Sequence, residues 1–268
     1  MNRLAEIVEQ KRRRVAAAKE LVPIDLLRRR AEGARKEAKA HALRSALLNK
    51  NRVNIIAEFK RRSPSKGAIK AGADPVLIAR EYEAGGAIAI SVLTEEDYFE
   101  GSLDDLRAVR ETTSLPILRK DFVFDPYQVY ESAAAGADAL LLIVASLDDD
   151  DLKQLCSLIE DELAMDALVE AHTREEMRRA VECSARLIGV NNRNLATFEV
   201  SLDTSIELAA LAPAGTVLIS ESGIERSDDV ERLREAGYRG FLIGETLMKS
   251  NNPRELLREF SQVARINR

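Results

Sequence analysis

The sequence predicts an α/β fold, a single (β/α)8 barrel with an N-terminal helical extension, and three observations support this prediction. After residue 50, eight short apolar runs alternate with amphipathic stretches and recur roughly every 20–35 residues, a spacing typical of strand–helix units. The runs are almost continuously apolar, as expected for parallel strands buried on both faces. The length of 268 residues also suits one such barrel, which typically needs about 250.

The eight predicted strands are listed here in chain order: VNIIAEF (53–59), AIAISVL (87–93), PILRK (116–120), ALLLIV (139–144), DALVE (166–170), LIGVNN (187–192), TVLISE (216–221) and GFLIG (240–244). An open, doubly wound sheet is the alternative arrangement of such units. That fold would carry a glycine-rich dinucleotide fingerprint after its first strand, whereas KRRSPSKG follows it here. The closed barrel is therefore favoured.

Helix starts are expected between these strands. Asp74-Pro75 and Asp125-Pro126 each combine an N-cap residue with proline at the first helical position. Thr173 with Glu176 has the spacing of a capping box. Four further N-caps are predicted from side chains that accept hydrogen bonds: Ser102, Ser146, Ser227 and Asn252.

Residues 1–50 are charged and rich in alanine, and their leucines recur at helical spacing. We expect two or three helices here, as an extension of a barrel that spans 51–268, within one domain of 1–268. The histidine of this extension, His41, is expected on a solvated helix face. The basic runs at 11–14 and 28–30 are interspersed with acids and are interpreted in the same way.

Composition argues against several classes of protein. The net charge of −5 favours neither nucleic acid nor a membrane surface as a partner. No apolar run approaches the length of a membrane span, and the N-terminus lacks the apolar core of a signal peptide. Cys156 and Cys183 have no zinc-ligand spacing and fit a reducing compartment. These features predict a cytoplasmic protein.

Polar residues follow nearly every predicted strand, at the barrel end where such folds place their chemistry. Glu58 and Lys60 share one face of strand 1, with Phe59 facing the helices. The other strand-end residues are Ser91, Lys120, Glu170, Asn191, Arg193, Glu221, Ser222, Gly223, Gly244 and Glu245. Buried charges must be paired or used, so the set predicts either an active site or a satisfied ionic network.

Two loops and one apolar group indicate how a ligand binds. Gly223 and Gly244 close strands 7 and 8, where barrels often hold a phosphate with backbone N–H groups, although ordinary turns also contain glycine. Ser63 belongs to RRSPSKG, whose cations and hydroxyls suit an anion. Phe99, Phe122 and Leu141 could form the wall of a pocket for an aromatic ring, or simply pack in the core.

The remaining sequence offers no other chemistry. His172, the second of two histidines, directly precedes the Thr173 cap; a position near the pocket is one alternative, and a surface position is favoured. No group of His, Cys or acidic residues has metal-ligand spacing. No nucleophile motif such as GxSxG is present. The sequence therefore predicts lysine and carboxylate chemistry with no metal and no nucleotide cofactor.

At these residues the chain resembles the indole-3-glycerol-phosphate synthase family over nearly its full length. The matching segments occur in the family's order: IAEFKRRSPSKG (56–67), SVLTEEDYFEGSLDDL (91–106), PILRKDFVFDPYQ (116–128), GADALLLI, ALVEAH, IGVNNRNL, SESGI and FLIGETLM. The resemblance implies a small-molecule substrate, 1-(2-carboxyphenylamino)-1-deoxyribulose 5-phosphate. It implies indole-3-glycerol phosphate, carbon dioxide and water as products, and places the N-terminal helices over the barrel mouth. A monomer or weak homodimer is expected.

The resemblance also assigns roles to residues. Glu58, Lys60, Lys120, Glu170, Asn191 and Glu221 match the catalytic set, Arg193 and Ser222 match substrate-binding residues, and Phe99, Phe122, Leu141 and Leu242 surround the aromatic ring. Glu245 stands where some members have serine, so only its backbone N–H is expected to bind phosphate. We expect Lys120 to be the acid for ring closure, and Glu170, with a raised pKa, to act in dehydration. Lys60 is expected to hold the substrate anion, oriented by Glu58.

Two other functions fit parts of this pattern. An aldose–ketose isomerase barrel, such as phosphoribosylanthranilate isomerase, needs one acid and one base, and would leave Lys60, Asn191 and Arg193 without a role. A barrel that only binds a phosphate ligand would not need the charged strand ends. Release of carbon dioxide separates the synthase from the isomerase, and single turnover of the substrate separates it from a barrel that only binds phosphate.

Overall fold

Eight parallel strands close into a barrel in the computed structural model, which describes residues 3–194 and 197–262. The strands are β1 (Asn54–Phe59), β2 (Ala89–Leu93), β3 (Ile117–Lys120), β4 (Ala139–Ile143), β5 (Asp166–Ala171), β6 (Leu187–Asn191), β7 (Val217–Glu221) and β8 (Gly240–Ile243). Each pairs with its neighbours in sequence, and β8 pairs with β1. All eight predicted strands are thus confirmed, and so is the closed barrel.

Helices precede the barrel and connect its strands. They are α1 (Arg3–Leu21), α2 (Ile24–Glu37), α3 (Ala42–Leu47), α4 (Pro75–Gly85), α5 (Leu103–Thr112), α6 (Pro126–Ala134), α7 (Asp149–Ser157), α8 (Arg174–Glu182), α9 (Asp203–Ala209), α10 (Ser227–Glu235), α11 (Glu245–Lys249) and α12 (Pro253–Gln262). None of them is long and apolar enough to cross a membrane within the described ranges.

The predicted helix caps are mostly confirmed. Asp74, Asp125, Ser102 and Thr173 each accept a backbone N–H of the first turn, as does Asn252 from Glu255.

Two predicted caps, however, are wrong. Ser146 ends a 3₁₀ turn instead, and Asp148 caps α7. Ser227 is already the first helical residue of α10.

Alternation along the strands separates two apolar clusters. Outward side chains such as Phe59 pack against the surrounding helices, while Ile56, Leu118, Leu168 and Ile219 fill the inside of the barrel. This filled interior closes the barrel below its C-terminal end. A ligand can therefore enter only at the mouth, above these apolar layers.

The N-terminal segment runs from one end of the barrel to the other. Arg3, Leu4 and Ile7 of α1 lie at the mouth, and α2 packs along α6 through buried Leu27 and Ala31. Leu43 and Leu47 of α3 are fully buried in the interior cluster at the opposite end. The extension therefore closes the bottom of the barrel as well as covering part of its mouth.

His41 lies beside this bottom plug and is not on a solvated helix face, as the sequence had suggested. Its Nδ1 is 3.0 Å from the carbonyl oxygen of Met165, and its side chain is 23% exposed. Its backbone N–H donates to Ala164, just before β5. His41 therefore belongs to the contact between α3 and the N-terminal end of the barrel.

Candidate active site

A cavity of about 860 Å³ lies over the C-terminal ends of the strands. The residues that the sequence singled out and that line it are Glu58, Lys60, Ser63, Phe99, Lys120, Phe122, Leu141, Glu170, Asn191, Arg193, Glu221, Ser222, Gly223, Leu242, Gly244 and Glu245. Ser91 is the exception. It is fully buried, its Oγ has no hydrogen-bond partner, and it lies beside Glu58 in the β1–β2 register, not on the cavity wall. Direct contact between Ser91 and a ligand is not supported by this position.

The floor of the cavity is a layer of four charged side chains from the odd-numbered strands: Glu58 (β1), Lys120 (β3), Glu170 (β5) and Glu221 (β7). Alternate strands contribute to the same interior layer, which explains why these four meet. The Nζ of Lys120 lies 3.0 Å from Glu170 Oε2 and 2.8 Å from Glu221 Oε2. Both carboxylates are almost completely buried. One ammonium thus bridges two carboxylates at the centre of the site.

This arrangement shifts the pKa values of the two carboxylates in opposite directions. Burial favours the neutral form of Glu170, but the charges of Lys120 and His172 outweigh it and lower its pKa to about 2. For Glu221, burial together with repulsion from Glu170 exceeds the attraction of Lys120 and raises its pKa to about 7. The expectation that Glu170 has a raised pKa is therefore wrong, and Glu221 is the carboxylate that titrates near neutrality.

Lys120 itself is held as an ammonium. Burial alone would lower its pKa, but the surrounding carboxylates Glu170, Glu221 and Glu58 raise it above the ordinary value. A second ion pair stands beside it, because Lys60 Nζ lies 2.6 Å from Glu58 Oε1. The site therefore presents two cations and three carboxylates to a ligand.

Two glycines make room for these carboxylates, and the sequence reasoning missed one of them. A Cβ at Gly189 of β6 would collide with the carboxylate of Glu221, and a Cβ at Gly244 would collide with that of Glu58. The signal for Gly189 was a glycine inside a strand, which often marks the close approach of another group. Gly189 separates β5 from β7 and so allows Glu170 and Glu221 to share Lys120.

One side of the cavity is apolar. Phe99 and Phe122 face each other with ring centroids 6.3 Å apart, at an interplanar angle of 43°. Leu141 from β4 and Leu242 from β8 line the cavity too. Such a wall suits a flat, apolar ring placed beside the charged floor.

The opposite side is built from the loops after β7 and β8. Ser222 and Gly223 both have positive φ, 66° and 78°, which turns this loop tightly at the cavity edge. Arg193, Lys66 and Lys249 add positive charge to the cavity lining. Lys66 is one of the cations of RRSPSKG, whereas Lys249 was not expected from the sequence.

Glu245 offsets part of this positive charge. Its carboxylate lies 2.6 Å from Lys249 and 3.7 Å from Arg193. Even so, this side of the cavity is suited to binding an anion through backbone N–H groups and cationic side chains.

Three carboxylates, of Glu95, Glu96 and Asp97, lie within 4.8 Å of one another beside the cavity, a grouping that the sequence reasoning had not expected. Glu95 accepts backbone N–H groups from 97 to 99. Glu96 pairs with Lys11 and Asp97 with Arg14, each at 2.6 Å. The cluster therefore fixes its own loop and anchors α1 over the mouth.

His172 is not the surface residue that the sequence suggested. Its side chain is only 8% exposed, and its Nε2 lies 3.4 Å from Glu170 Oε1. The ring stands behind Glu170 and does not contribute to the cavity lining. Its position directly after the ALVEA strand was the signal that could have placed it near the site.

Comparisons with known proteins agree with this geometry. The family model described as indole-3-glycerol phosphate synthase matches residues 4–260. The chain is 48% identical over 258 residues to an indole-3-glycerol phosphate synthase of Carboxydothermus hydrogenoformans, covering 95% of this chain and 97% of that one. It is 44% identical over 257 residues to the synthase of Bacteroides thetaiotaomicron, covering 96% of each.

Solved structures with little sequence similarity share the fold. A 3-hexulose-6-phosphate synthase of Salmonella typhimurium superposes with a TM-score of 0.65 at 15% identity, over 80% of this chain and 100% of that one. A thiamine phosphate pyrophosphorylase of Pyrococcus furiosus gives a TM-score of 0.60 at 16% identity, over 80% and 96%. At such low identity these matches support the barrel alone.

Proposed function

The chain belongs to the indole-3-glycerol phosphate synthase family, and from this premise we propose how its barrel mouth closes an indole ring. The chain is a lyase of tryptophan biosynthesis that acts on a small molecule. The substrate we propose is 1-(2-carboxyphenylamino)-1-deoxyribulose 5-phosphate. It carries an aromatic carboxylate at one end and a phosphate at the other.

The observation that carries this proposal is the placement of Lys120 between an apolar wall and an anion-binding edge. The phenyl ring fits against Phe99 and Phe122, and the phosphate fits the loops at Gly223 and Gly244. The ribulose carbon chain then crosses the charged floor. In this orientation its C2 carbonyl faces the ammonium of Lys120.

Ring closure comes first. The ring carbon that bears the carboxylate attacks C2 of the ribulose, and the carbonyl oxygen becomes an alkoxide. An alkoxide is a stronger base than a lysine amine, so Lys120 stabilises the developing charge and then protonates the oxygen. Lys60, fixed by Glu58 at 2.6 Å, holds the substrate carboxylate close to the reacting carbon. Loss of carbon dioxide then restores the aromatic ring.

Dehydration completes the reaction and needs an acid and a base. The hydroxyl on the former carbonyl carbon leaves as water with a proton from the enzyme, and the adjacent carbon gives up a proton. Glu221, with its pKa of about 7, supplies the acid, and Glu170, which stays ionised, accepts the proton. Because the two buried carboxylates repel each other across Lys120, one of them is protonated more readily than the other.

Asn191 is proposed to orient the substrate from β6, beside these carboxylates. Its Oδ1 accepts the backbone N–H of Arg193, which fixes the side chain and the start of the following loop. Arg193, Ser63 and Ser222 are proposed to bind the substrate anions from the cavity lining.

The direct test mixes the purified chain with this substrate and follows indole fluorescence and carbon dioxide together. We expect both signals to rise in equal amounts. Indole fluorescence without carbon dioxide cannot arise from this reaction, and an absence of both would sink the proposal. An isomerase would consume a ribosyl substrate without releasing carbon dioxide, so the gas measurement separates the two functions.

Three further properties are proposed. We propose that residues 1–268 form one domain, because α1 and α3 pack on opposite ends of the same barrel. We propose a monomer or weak homodimer that binds neither nucleic acid nor membrane; the net charge of −5 supports the second part of this proposal. A cytoplasmic location is supported by Cys156 and Cys183, which are free thiols.

A further inference from the structure

His172 is the one imidazole near the active site, and it approaches Glu170 from the side opposite to the cavity. Glu170 uses one oxygen, Oε2, to bind Lys120 at 3.0 Å, and its other oxygen, Oε1, lies 3.4 Å from His172 Nε2. Each oxygen of this carboxylate therefore has a nitrogen group near it, and the buried Nε2 of His172 has no hydrogen-bond partner among the described residues.

The orientation of the imidazole is fixed from the helix behind it. Nδ1 of His172 lies 3.1 Å from Glu176 Oε2, and the same oxygen accepts the backbone N–H of His172 at 2.7 Å. With Nδ1–H donating to Glu176, a neutral ring would turn the lone pair of Nε2 towards the carboxylate of Glu170. Protonation of Nε2 removes this repulsion and makes both contacts attractive.

We propose that His172 is a positioning residue of the active site: its imidazolium holds the carboxylate of Glu170 from behind, opposite the ammonium of Lys120. The proposal rests on the proposed role of Glu170 as the base in dehydration. A fixed, ionised carboxylate is what that step requires, and a misplacement of about 1 Å can slow such a step by about 100-fold.

The charges that act on the imidazole agree with this role. They are Glu176 from α8, Glu170 from β5 and, across the charged floor, Glu221 from β7. Burial opposes the charged ring, but these carboxylates outweigh it and raise the pKa of His172 above its usual value of about 6.5. In return, the imidazolium helps to keep the pKa of Glu170 low.

The chain provides a matched control for the test. His41 is the other of its two histidines, and it lies at the bottom of the barrel against Met165 and Asp166. His172→Gln and His41→Gln therefore make the same chemical change near the site and far from it. The kcat and KM of the wild type and both variants are measured across the pH range over which an imidazole titrates.

We expect His172→Gln to lower kcat about 10-fold at pH values below the pKa of His172, with little change in KM. The ratio of wild-type to variant kcat should then decline as pH rises and the imidazolium loses its proton. This ratio cancels any titration that both proteins share, including that of Glu221. For His41→Gln we expect a ratio close to one throughout.

A second measurement does not depend on the stability of His172→Gln. In a His41→Gln background a single imidazole remains, so NMR follows the titration of His172 directly. Adding Glu170→Gln removes one of the negative charges that face the ring, and we expect the pKa of His172 to fall. An unchanged pKa would show that the two groups do not interact and would overturn the inference.

The outcomes also separate this inference from the proposed function. A ratio of kcat values that stays constant with pH, beside a slow Glu170→Gln enzyme, would leave Glu170 in its role and reject His172 as its positioning residue. Wild-type turnover by Glu170→Gln would reject the proposed role of Glu170, and the role of His172 with it.

Discussion

At the scale of single residues, the site depends on glycines, which leave room for neighbouring side chains, as much as on charged residues. Lys120, Glu170 and Glu221 were visible in the sequence because charged or amide residues end most of the strands, at the barrel end where such folds place their chemistry. Gly189 and His172 were not, since neither ends a strand with a charge. Their importance follows from cross-barrel distances that only the closed barrel determines.

Lys120 and Glu170 are expected to act at different steps. Removing a general acid or base typically costs about 10²–10⁴ in rate, so Lys120→Ala should slow carbon dioxide release by about that factor. Glu170→Gln should still release one burst of carbon dioxide, after which a decarboxylated, hydrated intermediate accumulates. Rapid-quench detection of carbon dioxide beside indole fluorescence checks both. Equal suppression of the two signals in Glu170→Gln would mean that Glu170 also acts in or before closure.

Gly189→Ala should damage the site through the carboxylate of Glu221, with which the new methyl group collides. Overpacking of this kind typically costs about 1–3 kcal/mol, and kcat should fall because Glu221 moves away from Lys120. In a Glu221→Ala background the collision is gone, so the two substitutions should be non-additive in urea unfolding.

Gly33→Ala is the control for that substitution. Gly33 lies inside α2, and a Cβ there meets nothing within 4 Å. It should stabilise the protein by about 0.5–1 kcal/mol and leave kcat unchanged. Additive effects of Gly189→Ala and Glu221→Ala would contradict the spatial argument.

At the scale of elements, the sequence predicted all eight strands and the helices between them, because parallel strands and amphipathic helices leave distinct periodic patterns. The path of the extension was only half predicted. The spacing of leucines predicts a helix, but it does not predict which surface of the protein buries that helix. Leu43 and Leu47 were read as part of a cover over the mouth, whereas α3 closes the opposite end.

Helix α1 is expected to bind substrate indirectly, by ordering the loops at the mouth. Lys11 is 3% exposed and bridges Glu96 at 2.6 Å and Asp121 at 2.9 Å, next to Lys120. Lys11→Met should lower the free energy of unfolding by about 1–3 kcal/mol, because buried acceptors lose a partner. It should also raise KM.

Arg13→Met is the matched control on the same helix. Arg13 is 71% exposed, and its contact with Glu9 spans 3.4 Å, so the substitution should change neither quantity. A Lys11→Met enzyme with wild-type KM would show that α1 only stabilises the barrel.

Helix α3 is expected to matter for stability alone. Leu47 is fully buried in the barrel interior, so Leu47→Ala should cost about 2–5 kcal/mol while the KM of the folded enzyme stays unchanged. Its neighbour Leu48 is 57% exposed, and Leu48→Ala should leave both unchanged. Thermal unfolding and steady-state kinetics of the two variants test whether α3 affects stability without affecting KM. A raised KM in Leu47→Ala would link the bottom of the barrel to its mouth.

At the scale of the whole molecule, the protein is acidic overall while its cavity gathers cations at the mouth. The net charge of −5 gave no indication of an anionic substrate. The local arrangement did, since Lys60, Lys120 and Arg193 all follow strands that meet at one end. Composition therefore favoured no macromolecular partner, and the charge of the substrate could be inferred only from the residues that end the strands.

The charged floor should make the stability of the whole barrel depend on pH near neutrality, and Glu221 sets the direction. Its pKa rises from the ordinary 4.5 to about 7 on folding, so the folded protein favours the protonated form. The stability this contributes is fully present below pH 4.5 and is lost as pH rises through 7. A shift of this size corresponds to about 3–4 kcal/mol at most, at about 1.4 kcal/mol for each pH unit.

Glu170 does not contribute in the same window, because its pKa of about 2 leaves it ionised throughout. Urea unfolding of the wild type at pH 5.5 and at pH 8 should therefore show a lower free energy of unfolding at the higher pH. Glu221→Gln carries no titrating group at this position and should lose the part of that difference that Glu221 causes, while the raised pKa of His172 contributes a loss in the same direction in both proteins. The two proteins should be closest in stability at the pH where Glu221 is still protonated. A pH dependence that is the same in both would show that Glu221 keeps an ordinary pKa, and the acid for dehydration would then have to be sought elsewhere on the charged floor.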